Sequence, residues 1–368
     1  MLVCLDIGGG SIKCAWLDRV IEMPNVIGRP KKDVRILVGT DLLDDSIPHG
    51  QMVYTRPCDR GYVNNFECEK MVLEKLFEII GGVSDITDIV VTTPPFFPKE
   101  LATALEELLV KYLGTPMFIN SSPSALLALS VKGTRPFCVV VDSGFSFTHI
   151  TPVFDGKVFE PGIRRIDVGG KILTNYLKEL LSYGQINVLD ETFVVNLMKE
   201  QVCYVSMDIQ SSLEELTLLK NQAVLPRKER LSREDRIQLE QKYTKRYVLP
   251  DYHKVKHGYL LEADADEHLA DQTVVLTGEC FLVPELLFQP SMIGLRQAGV
   301  PEAIEQCVMA CPEVCRSLLR RNIFLTGGNT KFGNFSSRVA KELGDSYSIT
   351  SIADPIVGPC TLAKFVVG

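Results

Sequence analysis

Asp6-Ile7-Gly8-Gly9-Gly10-Ser11, Asp142-Ser143-Gly144 and Leu325-Thr326-Gly327-Gly328-Asn329 decide how this chain is read. The first two follow short apolar runs, Leu2 to Leu5 and Cys138 to Val141, and precede further apolar or alternating runs. Each therefore reads as strand, aspartate, tight turn, strand. Glycine at such turns permits positive φ and lets backbone N–H groups come close to a phosphate, while an aspartate at the strand end can hold the cation that neutralises it. Two such hairpins facing one another would clamp a nucleotide between two domains. A single Gly-Gly-Gly turn is more often a plain hairpin. The set, in this order and spacing, is the specific signal.

The 368 residues suffice for two domains with separate cores, and 46% hydrophobic with 23% charged residues is the balance of a soluble globular protein. A net charge of −7 argues against broad sequence-independent nucleic-acid binding, which needs many phosphate-neutralising cations, although a local basic patch remains compatible with it. No apolar stretch approaches the roughly 20 residues of a membrane span, and the N-terminus enters a strand with no signal-peptide pattern. The expectation is an intracellular, soluble protein. The 11 cysteines lie in apparent core runs and read as reduced thiols. Cys307, Cys311 and Cys315 recur at fours along one helical face, but no fourth ligand stands at metal-binding spacing and Pro312 interrupts the pattern, so a core stripe is preferred to a metal site. His253 and His257 lack a third ligand in a stretch that reads as strand.

Strand and helix alternate as in an α/β domain. Helices are predicted over Phe66 to Ile80 and Leu101 to Leu113, strands at Ile89-Val90-Val91 and Met117 to Ile119, and a helix start at Ser122-Pro123. The second half opens with the strand Cys138 to Val141, continues through Thr148 to Phe154, and passes Val168-Gly169-Gly170-Lys171 into a helix over Ile172 to Leu181. A diglycine there either leaves N–H groups for an anion or sugar or caps the helix with close backbone packing. Residues 211–246 are strongly charged, with Ser232 and Asp235 spaced as a capping box. A solvated helix is the commoner meaning of such a run, and a partner-binding insertion the rarer one.

Taken together, these stretches resemble the actin superfamily, and more narrowly one of its actin-related branches. Val26-Ile27-Gly28-Arg29-Pro30, Asp142 through Pro152, Asp167 through Asn175, Lys199 through Ser206, Val248 through Asp251, Phe281 through Ser291 and Asn322 through Asn329 carry the resemblance in order. It implies an actin-like α/β fold: two ribonuclease H-like domains, each with a small inserted subdomain, and a nucleotide cleft between them. The first domain would comprise 1–132 and 351–368 with a subdomain at about 28–60, and the second 133–350 with a subdomain at about 169–267 that includes the charged insertion. ATP or ADP with Mg²⁺ is implied in the cleft. By position, Gly8, Gly9, Gly10, Ser11 and Lys13 would line the first phosphate loop, and Ser143, Gly144, Phe145, Ser146 and Phe147 the second. Gly170, Lys199, Glu200, Gly327 and Gly328 would border the adenosine, and Asp6 and Asp142 would hold the metal through its waters.

The departures bear on mechanism. Phe145 stands where filament-forming actins usually carry a second aspartate, and no glutamine occurs between Asn120 and Leu127 to orient an attacking water. His149, also associated with hydrolysis, is retained. Losing a water-positioning group typically removes roughly 10²- to 10⁴-fold of rate, so turnover by the chain alone is expected to be negligible. Near the C-terminus Gly358-Pro359-Cys360-Thr361-Leu362-Ala363 replaces the aromatic and diglycine pattern of one adenine-pocket wall.

The resemblance then implies a non-enzymatic nuclear subunit, with a cytoplasmic pool also compatible, of a chromatin-remodelling assembly that exchanges canonical histone 2A for its Z variant. Its partners would be the remodelling ATPase and accessory subunits, with weak or indirect contact to nucleosomal DNA and histones and none to membrane. One rival is a filament-forming actin-like ATPase, against which the altered second loop argues. Another is a sugar kinase of the same superfold, which needs a catalytic aspartate that the stretch after Ala125 does not supply.

Overall fold

A computed structural model describes residues 2–16, 19–44, 47–82, 84, 86–114, 117–121, 136–222, 224–226, 230–252, 255–261 and 272–352. The expected helix start at Ser122-Pro123, the glutamine position beyond Ser121, His253, and the C-terminal pocket wall lie outside the described residues, as does all of 351–368 beyond Ile352.

The chain folds as two lobes that repeat one plan. In the first lobe the strands are β1 (Leu2–Ile7), β2 (Ser11–Trp16), β3 (Arg19–Pro24), β4 (Ile27–Pro30), β5 (Leu37–Val38), β6 (Met52–Thr55), β7 (Cys58–Asp59) and β8 (Tyr62–Val63). Helix α1 (Phe66–Ile79), β9 (Asp88–Thr92), α2 (Lys99–Leu113) and β10 (Met117–Ser121) follow. The main sheet runs β10-β9-β1-β2-β3, with β1 parallel to β9 and antiparallel to β2. Alternation along β1 sends Val3, Leu5 and Ile7 into a core closed by Val72, Leu76 and Leu105 from the two helices. A separate small sheet, β5-β4-β6, carries its own core of Val26, Leu42 and Met52. Gly28 sits between the last two, where a Cβ would come within 2.6 Å of Leu42.

The second lobe opens with β11 (Phe137–Ser143), β12 (Thr148–Phe154), β13 (Lys157–Val158) and β14 (Arg164–Ile166). Helices α3 (Gly170–Gly184), α4 (Thr192–Val202), α5 (Ile209–Lys220) and α6 (Arg233–Tyr243) lead to β15 (Lys245–Val248), β16 (Tyr259–Leu260) and β17 (Thr273–Leu276). The chain then forms α7 (Glu279–Glu285), α8 (Val300–Ala310), α9 (Glu313–Arg320), β18 (Ile323–Thr326), α10 (Phe335–Leu343) and β19 (Ile349–Ser351). Its main sheet, β13-β12-β11-β18-β19, matches the first in sense: β11 is antiparallel to the next strand and parallel to β18. Val139, Val141 and Ile150 face a core that includes Leu173, Leu177 and Val300, while Cys138 and Val140 face the opposite side.

The charged stretch forms the α5–α6 hairpin. Ser232 caps α6 as the capping box predicts, accepting from Asp235 N–H at 3.1 Å, and Leu216, Tyr243 and Phe281 anchor the hairpin beneath a solvated face. At the rim of the inserted sheet β16-β15-β17, the amide of Gln185 donates to Val275 O at 2.6 Å and accepts from Val275 N–H at 3.3 Å.

Two expectations are corrected here. The stretch around His257 is a turn rather than a strand: Asp251 Oδ1 accepts from Val255 N–H at 2.8 Å, Tyr252 takes φ +60, and pairing starts only at Tyr259. Nor do Cys307, Cys311 and Cys315 share one helix, because α8 ends at Ala310 and α9 starts after Pro312. Cys307 and Cys311 are core side chains.

Candidate nucleotide cleft

The two expected phosphate turns are hairpins of the same construction. Gly8 N–H donates to Ser11 O at 3.1 Å, and Gly144 N–H donates to Phe147 O at 2.9 Å. The aspartates occupy equivalent registers. Asp6 stands opposite Lys13 across its hairpin and beside Thr92 on the parallel strand; Asp142 stands opposite His149 and beside Thr326. Thr92 Oγ1 donates to Asp6 at 2.5 Å. The parallel pairing of β1 with β9 and of β11 with β18 thus brings both carboxylates to the strand ends that face the cleft.

That cleft encloses about 860 Å³ between the lobes. It brings together most of the residues that the sequence singles out. Asp6, Gly8, Gly9, Gly10, Ser11 and Lys13 line one wall, with Asp142, Gly144, Phe145, Ser146, Phe147 and His149 opposite. Gly170, Lys199, Glu200, Gly327 and Gly328 also line it. Ser143 does not join them. Its side chain is fully buried, exchanging a 2.8 Å hydrogen bond with Thr148 Oγ1 and accepting from Asn329 Nδ2 at 3.1 Å.

Three other expected site residues, Gly170, Lys199 and Glu200, are already engaged by protein. Gly170 N–H donates to Gly144 O at 3.0 Å and Lys171 N–H to Phe145 O at 2.8 Å, so the diglycine serves close backbone packing instead of leaving these N–H groups for an anion. A Cβ on Gly169 would lie 2.6 Å from Phe145 O, which is why that position lacks a side chain. Lys199 donates to Gly170 O at 3.3 Å, Thr174 Oγ1 at 3.0 Å and Asn196 Oδ1 at 2.9 Å. Its ammonium braces the first turn of α3, and burial lowers its pKa. Glu200 accepts from Asn196 Nδ2 at 2.8 Å.

Charge at the floor favours a cation. Burial, and then the charge of Asp6, raise the Asp142 carboxyl to about 6 against the opposing pull of Lys13. A divalent ion would relieve two carboxylates placed in this way. The backbone supplies the rest of a phosphate cradle. Gly327 has φ +92, with a Cβ that would come 2.8 Å from Asp142 Oδ1, and a Cβ on Gly328 would meet nothing within 4 Å. The residues present therefore fit a nucleotide with its cation. His149 is buried, its Nε2 has no hydrogen-bond partner among the described residues, and burial followed by the Arg165 charge depresses its pKa to about 4, so it is a neutral imidazole at physiological pH.

Sequence reasoning missed Arg56 and Asn329. Arg56 rises from the small excursion, and its NH1 donates to Gly10 O at 3.1 Å, Gly9 O at 3.3 Å and Asn25 O at 3.3 Å while its guanidinium lies 4.6 Å from the Phe145 ring centroid. No local pattern marks it. Asn329 donates to Gly144 O at 2.7 Å and ties the third glycine turn to the second. Its place directly after Gly327-Gly328 was a usable signal.

Comparison with known proteins agrees with this architecture. The actin family model matches residues 5–357. Actin-related protein 6 of Drosophila melanogaster is 33% identical over 356 residues, covering 93% of this chain and 85% of the relative. The protein of that name from Arabidopsis thaliana is 33% identical over 386 residues, covering 97% and 90%. Its counterpart in Oryza sativa subsp. japonica is 32% identical over 403 residues, covering 97% and 90%. With the paired hairpins, the repeated sheet order and matches across nearly its whole length, this chain belongs to the actin family, in the company of actin-related protein 6.

Proposed function

We propose that this chain is a structural, non-catalytic subunit of a nuclear ATP-dependent remodelling assembly that exchanges canonical histone 2A for its Z variant. One observation carries the reading of the cleft. Both carboxylates and the glycine turns are kept, yet the phenyl ring of Phe145 stands in the second loop where hydrolysing actins place a carboxylate. A ring offers no acceptor to align or deprotonate water. Binding relies instead on backbone donors, which that change leaves in place.

ATP or ADP would be held by the loop of Gly8, Gly9 and Gly10 against the loop of Gly144 to Phe147, with Gly327 and Gly328 behind it. Asp6 and Asp142 would hold Mg²⁺ through its waters, and the ion's part is to neutralise the phosphates. Lys13 offsets the carboxylates from across the hairpin. A ligand that binds only the folded, closed form stabilises it by mass action, which suits a nucleotide that acts as a folding ligand.

Two surfaces suit other subunits: the solvated α5–α6 hairpin and the excursion built on β4, β5 and β6. Contact with DNA and histones is read as weak or indirect, given the acidic balance of the chain. Affinity purification from nuclear extract tests the reading. Co-purification of a large remodelling ATPase with histone-variant subunits is the expected result, and recovery of cytoplasmic filament partners alone would overturn it. Purified protein should bind a fluorescent ATP analogue and release no phosphate above background over hours.

A further inference from the structure

The two lobes touch across the cleft in three separate sets of contacts made by their own side chains and loops. At the floor the loops press together. A Cβ on Gly10 would lie 2.9 Å from Phe145 Cβ, a Cβ on Gly9 would overlap Ser146 Oγ, and Arg56 covers the Phe145 ring from the first lobe. Beside the floor, the β7–β8 hairpin of the first lobe seats on the second loop. Arg165 is layered on Phe147 at 3.5 Å from its centroid and donates to Tyr62 OH at 2.8 Å, and a Cβ on Gly61 would overlap the Phe147 ring. At the rim, His49 stacks on Phe193 with centroids 3.8 Å apart and planes 11° apart, and Gly50 N–H donates to Tyr252 OH at 3.1 Å.

A cleft closed by its ligand needs the phosphates and cation to bridge two loops that repel or ignore each other. Here an aromatic ring and a guanidinium already join the loops. Rings stacked on rings and cations over rings are attractive in partly desolvated places and do not depend on an ion. Because these contacts join different segments of the two lobes, opening as a rigid-body hinge has to break several of them together.

We propose that Phe145, Arg56, Arg165 with Phe147, and the His49–Phe193 stack form a latch that keeps the two lobes closed without nucleotide. Phe145 then has a positive role: it trades the hydrolytic carboxylate for an interlobe wedge. Nucleotide enters and leaves only when the latch opens, so exchange is slow. That last consequence rests on reading the cleft as a nucleotide site, whereas the latch itself does not.

The test uses the full chain stripped of nucleotide with EDTA and apyrase, beside Phe145→Ala and the milder rim variant His49→Ala. Small-angle X-ray scattering and amide exchange at residues 8–11 and 144–147 report closure. The stripped native chain should keep the radius of gyration and protection that it has with Mg-ATP. Stripped Phe145→Ala should expand and lose protection in both loops, recover with Mg-ATP, and release bound nucleotide about tenfold faster. His49→Ala should shift the same way by less, which keeps the test open should the wedge variant fold poorly. Expansion of the stripped native chain, or closure of both stripped variants, would overturn the latch. If no form binds the fluorescent ATP analogue, the nucleotide reading fails, and the scattering of native against variant chains still decides the latch.

Discussion

The two hairpins at the centre of this molecule share a register and differ in what fills it. Both turns close with the same hydrogen bond, from the residue two after the aspartate to the residue three further on. The first is built from Gly8, Gly9 and Gly10, the second from Gly144 followed by Phe145, Ser146 and Phe147. One loop is bare and the other bulky, and the bare loop is what the bulky one packs on. The lobes differ likewise in how each buries a carboxylate. In the second, Glu285 is fully buried and receives Arg338 NH2 at 3.1 Å. In the first, Glu69 is equally buried beneath the phosphate turn, but its one side-chain hydrogen-bond partner among the described residues is neutral: Asn25 Nδ2 donates to it at 3.2 Å and also to Gly8 O at 3.0 Å.

The largest effect expected from breaking this contrast is in the second lobe. Arg338→Met should leave Glu285 buried and unpaired at a cost of about 3–5 kcal/mol. The measurement is urea unfolding, and adding Glu285→Gln to the same chain should recover part of the loss. Next come the two equivalent turn glycines. A Cβ on Gly8 would lie 2.7 Å from the backbone oxygen of Ser11, whereas one on Gly144 would meet nothing nearer than 3.7 Å. Gly8→Ala should therefore cost about 1–3 kcal/mol and Gly144→Ala less than about 1 kcal/mol. Equal losses at the two sites would contradict the asymmetry.

Glu69 sharpens the comparison through pH. Burial raises its carboxyl to about 7 from an ordinary value of 4.5, so the folded chain holds this proton more tightly than the unfolded one does. The favourable contribution is complete below pH 4.5 and fades as pH rises through 7. Glu69→Gln should flatten that decline, with the stability difference from native, measured by chemical unfolding across the range, reaching the order of 2 kcal/mol at pH 8. A native profile that stays level from pH 4.5 to 8 would rule this out. The smallest effect belongs to the exposed interlobe pair, Lys171 Nζ with Asp59 at 3.0 Å. Lys171→Met should change the unfolding midpoint by an amount worth less than about 0.5 kcal/mol, vanishing in high salt.

Much of the fold was legible because its determinants are local. Apolar runs ending in Asp-x-Gly fixed the strand ends, and helical spacing at Met71, Val72, Leu76 and Phe77 located α1 to within a residue. Ser232 and Asp235 announced their own helix start. The site was legible as a set of turns and illegible as a set of bonds. Asn196, three residues before Lys199 on the same helix, is a local acceptor, but nothing near Lys199 in sequence tells that its ammonium also reaches Gly170 and Thr174 on α3, or that Ser143 turns inward to Asn329, since these depend on packing between distant segments. Arg56 escaped for the same reason. Its acceptors lie 31 to 47 residues away, with three to five strands between.

The side-chain amide of Gln185 has a consequence for assembly. β17 is the outer strand of its sheet, with Val275 41% exposed, and an outer strand with open N–H and C=O groups invites another chain to add on. Gln185 meets both groups of Val275 as a neighbouring peptide would, acting as a one-residue counterfeit strand. At this edge the chain thus supplies its own stopper against strand addition.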